Sequence, residues 1–281
     1  MKKPVVAIMY DFDKTLCTKD MQEYAFIPAL GMTAGEFWSE VNEMTDREEM
    51  DSILAYMFKM VEKARERHVP VTRETFRQMG SHVEFFRGVS SWFDRINAFA
   101  ATAGVQVEHY IVSSGIKEII EGTEIAGYFK KIYACEFLYD GDGSIQWPKF
   151  AVNYTAKTQF LFRINKGVLT VDSKSAELLN RFMPENERPI PFRNMIYIGD
   201  GITDVPCMKL VSSNGGQSIA VYDREKDRTA AEMLKKWERV NFVAPADYGP
   251  GSDVETIVKA IIRKIQAVEA MQCCQDPEDD A

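Results

Sequence analysis

A chain of 281 residues, 46% apolar and 27% charged, is long enough to bury a substantial core as one large domain or as a domain with an insert. A net charge of −8 argues against an extended nucleic-acid surface, which needs clustered Lys and Arg, but leaves room for a small basic pocket around one phosphate group. Five scattered cysteines (Cys17, Cys135, Cys207, Cys273, Cys274) form neither a disulfide framework nor a paired metal-ligand spacing. No apolar run is long enough to span a bilayer, so a soluble cytoplasmic protein with reduced thiols is expected.

In chain order, the first strand is expected at Val5–Tyr10, a continuous apolar run of the kind buried on both faces of a parallel sheet. From 17 to 85 the pattern is helical only. Within it, 47–67 reads as one helix with Met50, Ile53, Leu54, Met57, Phe58 and Val61 on a single stripe. So long a stretch without a strand, directly after the first one, predicts a helical subdomain over 17–85 inserted into an α/β core of 1–16 and 86–270. Further strands are expected at 107–113, 131–134, 195–198 and 218–221, and helices at 91–103, 117–121, 158–165 and 229–239. A hairpin is expected over 136–153, turning at Tyr139-Asp140-Gly141-Asp142-Gly143. The last residues, 271–281, read as a disordered tail, acidic and turn-rich at its end. Outside the insert, strand and helix alternate, which predicts a doubly wound α/β fold with a parallel sheet. The isolated His68, His82 and His109 read as surface or packing residues.

In such a sheet, ligands bind beyond the carboxyl ends of the strands. Asp11 and Asp13 follow the first strand, Ser113-Ser114-Gly115 closes the second, and Gly199-Asp200-Gly201-Ile202-Thr203-Asp204 follows a later one; Lys157 opens the helix after the hairpin. Each alone has an ordinary explanation, since Asp and Ser cap helices and Asp-Gly makes turns. All of them at strand ends point to one site. Carboxylates packed this closely repel, and burial raises their pKa. A divalent cation removes the conflict. Magnesium prefers hard oxygen ligands and retains waters, so Asp11, Asp200 and a backbone carbonyl form a partial shell. Asp204, four residues past Asp200, lies on the same side if a helix begins there, where it can orient Lys157 or a metal-bound water.

These residues carry a family resemblance. Asp11-Phe12-Asp13-Lys14-Thr15-Leu16 resembles the first motif, DxDx[TV], of the haloacid dehalogenase superfamily of phosphatases, and Ile111-Val112-Ser113-Ser114-Gly115 its second. Lys157 is similar to its third motif and Gly199-Asp200-Gly201-Ile202-Thr203-Asp204 to its fourth, GDGxxD, with Thr203 where Asn often stands. Lys149 and Lys166 lie nearby, but Thr155-Ala156-Lys157-Thr158 opens a helix, which is the family's usual placement. The position of the insert resembles the subclass with a helical cap, and within it the phosphoserine phosphatase group.

The resemblance implies an Asp11 nucleophile that forms an aspartyl phosphate, and an Asp13 general acid and base. It implies phosphoryl binding by Ser113, the Ser114 amide and Lys157, and magnesium held by Asp11, the Asp13 carbonyl and Asp200, with Asp204 behind or beside it. Asp20, nine residues beyond Asp11, stands where phosphoserine phosphatases carry a Glu that contacts the substrate amine. The substrate implied is a small phosphorylated metabolite, with no nucleic-acid or membrane partner; spacing carries no information on oligomeric state. A phosphotransferase using the same intermediate and a catalytically silent phosphometabolite-binding protein share these motifs. Asp13 argues against dehalogenation, because halide needs no proton to leave.

Overall fold

Seven strands form one sheet in the computed structural model, which describes residues 3–226 and 228–275. They are β1 (Val5–Tyr10), β2 (Gln106–Ile116), β3 (Phe129–Tyr139), β4 (Ile145–Phe150), β5 (Met195–Gly199), β6 (Gln217–Tyr222) and β7 (Phe242–Pro245). Their order is β4-β3-β2-β1-β5-β6-β7, and every neighbouring pair is parallel except the β3/β4 hairpin. Successive residues of a strand point to opposite faces, and Val6 to Tyr10 are all fully buried, so both faces of the sheet are covered. Helix Val89–Thr102 packs with Asp253–Gln275, and Lys157–Lys166 with Val205–Ser213. The chain starts in the middle of the sheet, builds outward through β2 to β4, and then returns to the other flank of β1 with β5. That reversal beside β1 is the topological switch point at which open α/β sheets bind ligands.

Between β1 and β2 the described elements are helical: Phe26–Ala29, Ala34–Glu48, Ser52–Glu66 and Arg73–Met79, with short 3-10 turns at Met21–Glu23 and Gly80–His82. An antiparallel bridge between Cys17 and Phe85 joins the outgoing and returning chain. The single helix expected over 47–67 is broken. Glu49 turns left-handed (φ 50°) and ends one helix, and Asp51 starts the next by accepting the Ile53 and Leu54 amides at 2.9 and 3.1 Å. A competent N-cap outweighs a continuous apolar period. The buried face is accordingly Ala55, Tyr56, Met57, Met60 and Ala64, while Leu54 and Phe58 are exposed.

Other elements differ in extent. The expected strand 131–134 and the first limb of the hairpin are one strand, β3, which leaves β2 to pair with β4. β2 runs on to Ile116 with a register jump between Val112 and Ile116, so 113–115 form a bulge instead of a helix cap. β7, only four residues ending in Pro245, carries too little pattern to be anticipated. Residues 271–275, expected in a disordered tail, belong to helix Asp253–Gln275; 276–281 lie outside the described residues. No helix among the described residues is long and apolar enough to cross a membrane.

His109 is a core residue. Trp92 Nε1 donates to the Tyr10 hydroxyl at 2.8 Å, that hydroxyl meets His109 Nδ1 at 3.0 Å, and Nε2 meets Asn97 Oδ1 at 3.0 Å. Burial lowers its pKa to about 3, so it stays neutral and serves packing; His68 and His82 are exposed.

The returning helical turn is seated tightly on the sheet domain. Phe76 stacks on Phe137 of β3 at 5.9 Å, and a Cβ on Gly122 would stand 1.8 Å from the Arg77 carbonyl oxygen. Gly122→Ala should therefore cost about 1–3 kcal/mol or more by overpacking, whereas Gly127→Ala, with nothing within 4 Å, should be near neutral. Urea unfolding midpoints of the two variants check this; equal midpoints would refute the close approach.

Candidate active site

Beyond β1 the chain makes a tight turn around one carbonyl. Asp11 still bonds the sheet through its amide to Ile198 O at 2.9 Å, and the amides of Thr15 and Leu16 both reach Phe12 O, with Lys14 left-handed at φ 54°. Asp11 is thereby fixed at the switch point, 6% exposed, with Oδ1 accepting the Phe12 amide at 2.7 Å. Its Oδ2 accepts Lys157 Nζ at 2.8 Å, and the same ammonium donates to Asp204 Oδ1 at 2.8 Å. Lys157 and Asp204 are fully buried. Asp204 is held further by the Tyr197 hydroxyl at 2.7 Å. A side chain on Gly199 would stand 2.3 Å from Asp204 Oδ2, so the glycine is required there.

Asp200 completes the group: Asp11, Asp200 and Asp204 each offer an oxygen within 4.8 Å of the others. Lys157 bonds two of these three carboxylates, and Asp200 feels the charges of Lys14 and Lys157 without a hydrogen bond to either. Burial, then Asp204, push Asp11 up to about 6 against the opposing pull of Lys157. Asp200 is raised well above the usual carboxylate range by burial and then by Asp204 and Asp11. Burial would lower the Lys157 pKa, but the two carboxylates outweigh it and it is raised. Hard oxygen donors in negative excess, clustered at this spacing, fit a metal ion.

Asp13 reaches the opposite way. Its Oδ1 accepts the Met21 amide at 2.8 Å, and its Oδ2 lies 3.0 Å from where a Cβ of Gly115 would be. The first and second strand ends therefore meet through Asp13 and the β2 bulge. Burial raises its pKa well above normal, with Asp20 and Asp11 adding to the shift, which favours the protonated acid. Asp20 accepts Lys14 Nζ at 2.6 Å, so its carboxylate is already paired beside Asp13.

Ser113 is fully buried, and its Oγ accepts the Gly115 amide at 3.0 Å. The Ser114 hydroxyl is committed to Val152 O at 2.7 Å. Of the three neighbouring lysines, Lys149 bonds Glu136, and Lys166 donates to the Leu179 and Arg181 carbonyls. Only Lys157 among them meets Asp11. Sequence reasoning missed Tyr197, Met21 and Tyr56, the last of which donates to Ser114 O at 2.6 Å. Tyr197 sits on the strand leading into Asp200 and was open to inference from that. The other two come from the helical segment, and no local signal marks them.

Removing the ammonium tests this electrostatic arrangement directly. Lys157→Met leaves Asp11 and Asp204 buried without their cation, and should cost about 3–5 kcal/mol. The cost should shrink as pH falls, because protonating the carboxylates removes the uncompensated charge. Denaturant unfolding at pH 5 and pH 7.5 measures both; a variant as stable as the parent at pH 7.5 would exclude this role.

Comparison with known proteins places the chain. A curated protein of Borreliella burgdorferi (strain ATCC 35210 / DSM 4680 / CIP 102532 / B31), itself uncharacterised, is 28% identical over 278 residues, covering 89% of this chain and 94% of its own. A substrate-bound phosphoserine phosphatase complex superposes with a TM-score of 0.55 at 16% identity, over 92% of this chain and 99% of that one. A phospho-aspartyl intermediate analogue of phosphoserine phosphatase gives 0.53 at 17% identity over the same shares. These two likenesses show the fold. The family model for haloacid dehalogenase-like hydrolases matches residues 8–209, most of the chain and all the acidic residues assembled above, and the protein belongs to that family.

Proposed function

We propose that this protein is a magnesium-dependent phosphatase that hydrolyses a small phosphate monoester through an aspartyl phosphate on Asp11. The observation that carries the reading is the Asp11–Lys157–Asp204 bridge, with Asp13 two residues on and facing the β2 bulge. Two structures of similar fold are described as a substrate-bound phosphoserine phosphatase and its phospho-aspartyl intermediate analogue, in line with this chemistry.

In this mechanism an Asp11 oxygen forms a bond to phosphorus as the ester P–O bond breaks, and the departing oxygen takes the Asp13 proton to leave as an alcohol. Asp13, now a carboxylate, accepts a proton from water as that water attacks phosphorus. The phosphoryl–Asp11 bond breaks, giving inorganic phosphate and restoring both side chains. A raised Asp13 pKa suits the first half, because the group must carry a proton near neutral pH. Lys157 holds the Asp11 carboxylate in place and offsets charge on the phosphoryl oxygens, while Ser113 and the Ser114 amide bind those oxygens. Magnesium, held by Asp11, Asp200 and the Asp13 carbonyl with Asp204 beside it, would supply compensating positive charge for the substrate dianion.

The helical segment 17–85 acts as a cap on a core of 1–16 and 86–270, excluding water and choosing the substrate. Asp20, next to Asp13 and bonded to Lys14, is the specificity residue for a polar substituent on the leaving group. A soluble metabolite of the cytoplasm is the substrate class this acidic protein suits.

Hydrolysis of p-nitrophenyl phosphate with magnesium should release inorganic phosphate one-for-one with nitrophenol; transfer to an acceptor without phosphate release identifies a phosphotransferase instead. Asp11→Asn should lower kcat by about 10³-fold or more. Asp13→Asn should lower it by about 10²–10⁴-fold, more for an alkyl phosphate than for the nitrophenyl ester, whose better leaving group needs less protonation.

Metal binding has its own sign. A carboxyl group whose folded pKa is raised stabilises the metal-free protein at low pH, and that contribution is lost as pH rises from the ordinary carboxylate value through about 6 for Asp11. Magnesium takes the place of those protons, so its stabilising shift in Tm should be larger at pH 7.5 than at pH 5. A shift equal at both values contradicts binding at these carboxylates.

A further inference from the structure

The helix Ser52–Glu66 touches the catalytic edge of the sheet at two points that no motif marks. Tyr56, 4% exposed, donates its hydroxyl to Ser114 O at 2.6 Å. The other end of that peptide unit is the Gly115 amide, which donates to Ser113 Oγ at 3.0 Å. The direction of this chain is set by chemistry, since a carbonyl only accepts and an amide only donates. Tyr56 O–H points to the Ser114 carbonyl, the Gly115 N–H points to Ser113, and the Ser113 proton is left to donate onward. Hydrogen bonds aligned in series polarise one another.

The second point is Asp51. Its Oδ1 caps the helix, and its Oδ2 accepts Asn153 Nδ2 at 3.0 Å. Asn153 in turn organises the first turn of the Lys157 helix: its Oδ1 accepts the Ala156 amide at 2.8 Å and its carbonyl accepts the Lys157 amide at 3.0 Å. One helix therefore holds the peptide that aims Ser113 and the turn that places Lys157.

We propose that Tyr56 and Asp51 form a two-point clamp through which the seating of helix Ser52–Glu66 aims the Ser113 hydroxyl and the Lys157 turn at a bound phosphoryl group, with Tyr56 as the positioning residue for Ser113. The clamp rests on the phosphatase reading for what it aligns. Coupling of this kind is reciprocal, so a phosphoryl ligand must in turn favour the seated helix. The register of β2 breaks at 113–115, and this peptide is held by side chains instead. The Ser114 carbonyl accepts Tyr56 at 2.6 Å and the Cys135 thiol at 3.3 Å, and the Ser114 hydroxyl donates to Val152 O. Tyr56 is thus the shortest donor to that carbonyl and the one that comes from the helical segment.

Tyr56→Phe removes the donor and keeps the ring that packs edge-on against Trp38. Asp51→Ser keeps a helix cap but is too short to reach Asn153. Calorimetry with inorganic phosphate and magnesium, together with KM and kcat for p-nitrophenyl phosphate, reads the effect. Tyr56→Phe should weaken phosphate binding and raise KM by about five- to tenfold, the worth of one net hydrogen bond, while kcat changes less. In the parent, phosphate should slow amide exchange in 52–60, and in Tyr56→Phe it should not. The double variant should lose less than the product of the single losses, because both act through one seated helix.

Unchanged phosphate affinity and KM in Tyr56→Phe, in a parent that turns over, overturns the clamp and leaves the phosphatase reading intact. A parent that neither binds phosphate nor hydrolyses the ester overturns both. A loss of Tm in the variant without a loss of phosphate affinity also counts against the clamp, since it reports packing alone.

Discussion

The ammonium of Lys157, fully buried between Asp11 and Asp204, is the contact on which the candidate site is built. Like charges brought together at low dielectric cannot all remain ionised without a counter-charge. One lysine bonds two of the three clustered carboxylates and leaves the group in negative excess; burial first, and then the neighbouring carboxylates, raise the pKa of Asp11 and Asp200. Several local features follow from the same requirement. Gly199 has no side chain because Asp204 occupies that space, and Tyr197 supplies a donor where water is excluded. Three carboxylates around one directly bonded ammonium are a donor set that fits a cation.

Topology brings these groups together. β1 lies between β2 and β5, so the residues after all three strands open into one crevice, and Asp13 spans from the first to the bulge of the second. Lys157 arrives by a longer route, through β3, the β4 hairpin and the Asn153 turn. That path makes its position dependent on the hairpin, and through Asp51 on the helical segment as well.

The helical segment is not uniformly attached. Its returning part is seated with backbone nearly touching backbone at Gly80 and Gly122, where any side chain would collide. Helix Ser52–Glu66 packs its buried face on helix Ala34–Glu48 and on β4, and meets the site through hydrogen bonds at Tyr56 and Asp51.

The motif residues were legible in the chain because strand ends are where an α/β sheet exposes its chemistry, and Asp11, Asp13, Ser113, Asp200 and Asp204 follow apolar runs that announce buried strands. The doubly wound class and the helical insert were legible for the same reason, periodicity being a local property. The break at Asp51 rests on cap bonds only two and three residues away and was open to local reading, whereas local pattern could not show that 131–139 would form one strand or that 271–275 would remain helical, because those outcomes depend on what packs nearby. It also could not show that the Ser114 hydroxyl would turn to Val152, or that Tyr56 would reach the Ser114 carbonyl across 58 residues. By itself the sequence determined which chemical groups stand at the strand ends, since those follow from residue type and period. Which partner each group meets was decided only by tertiary structure, because hydrogen bonds and burial are set by distances between parts of the chain that no spacing encodes.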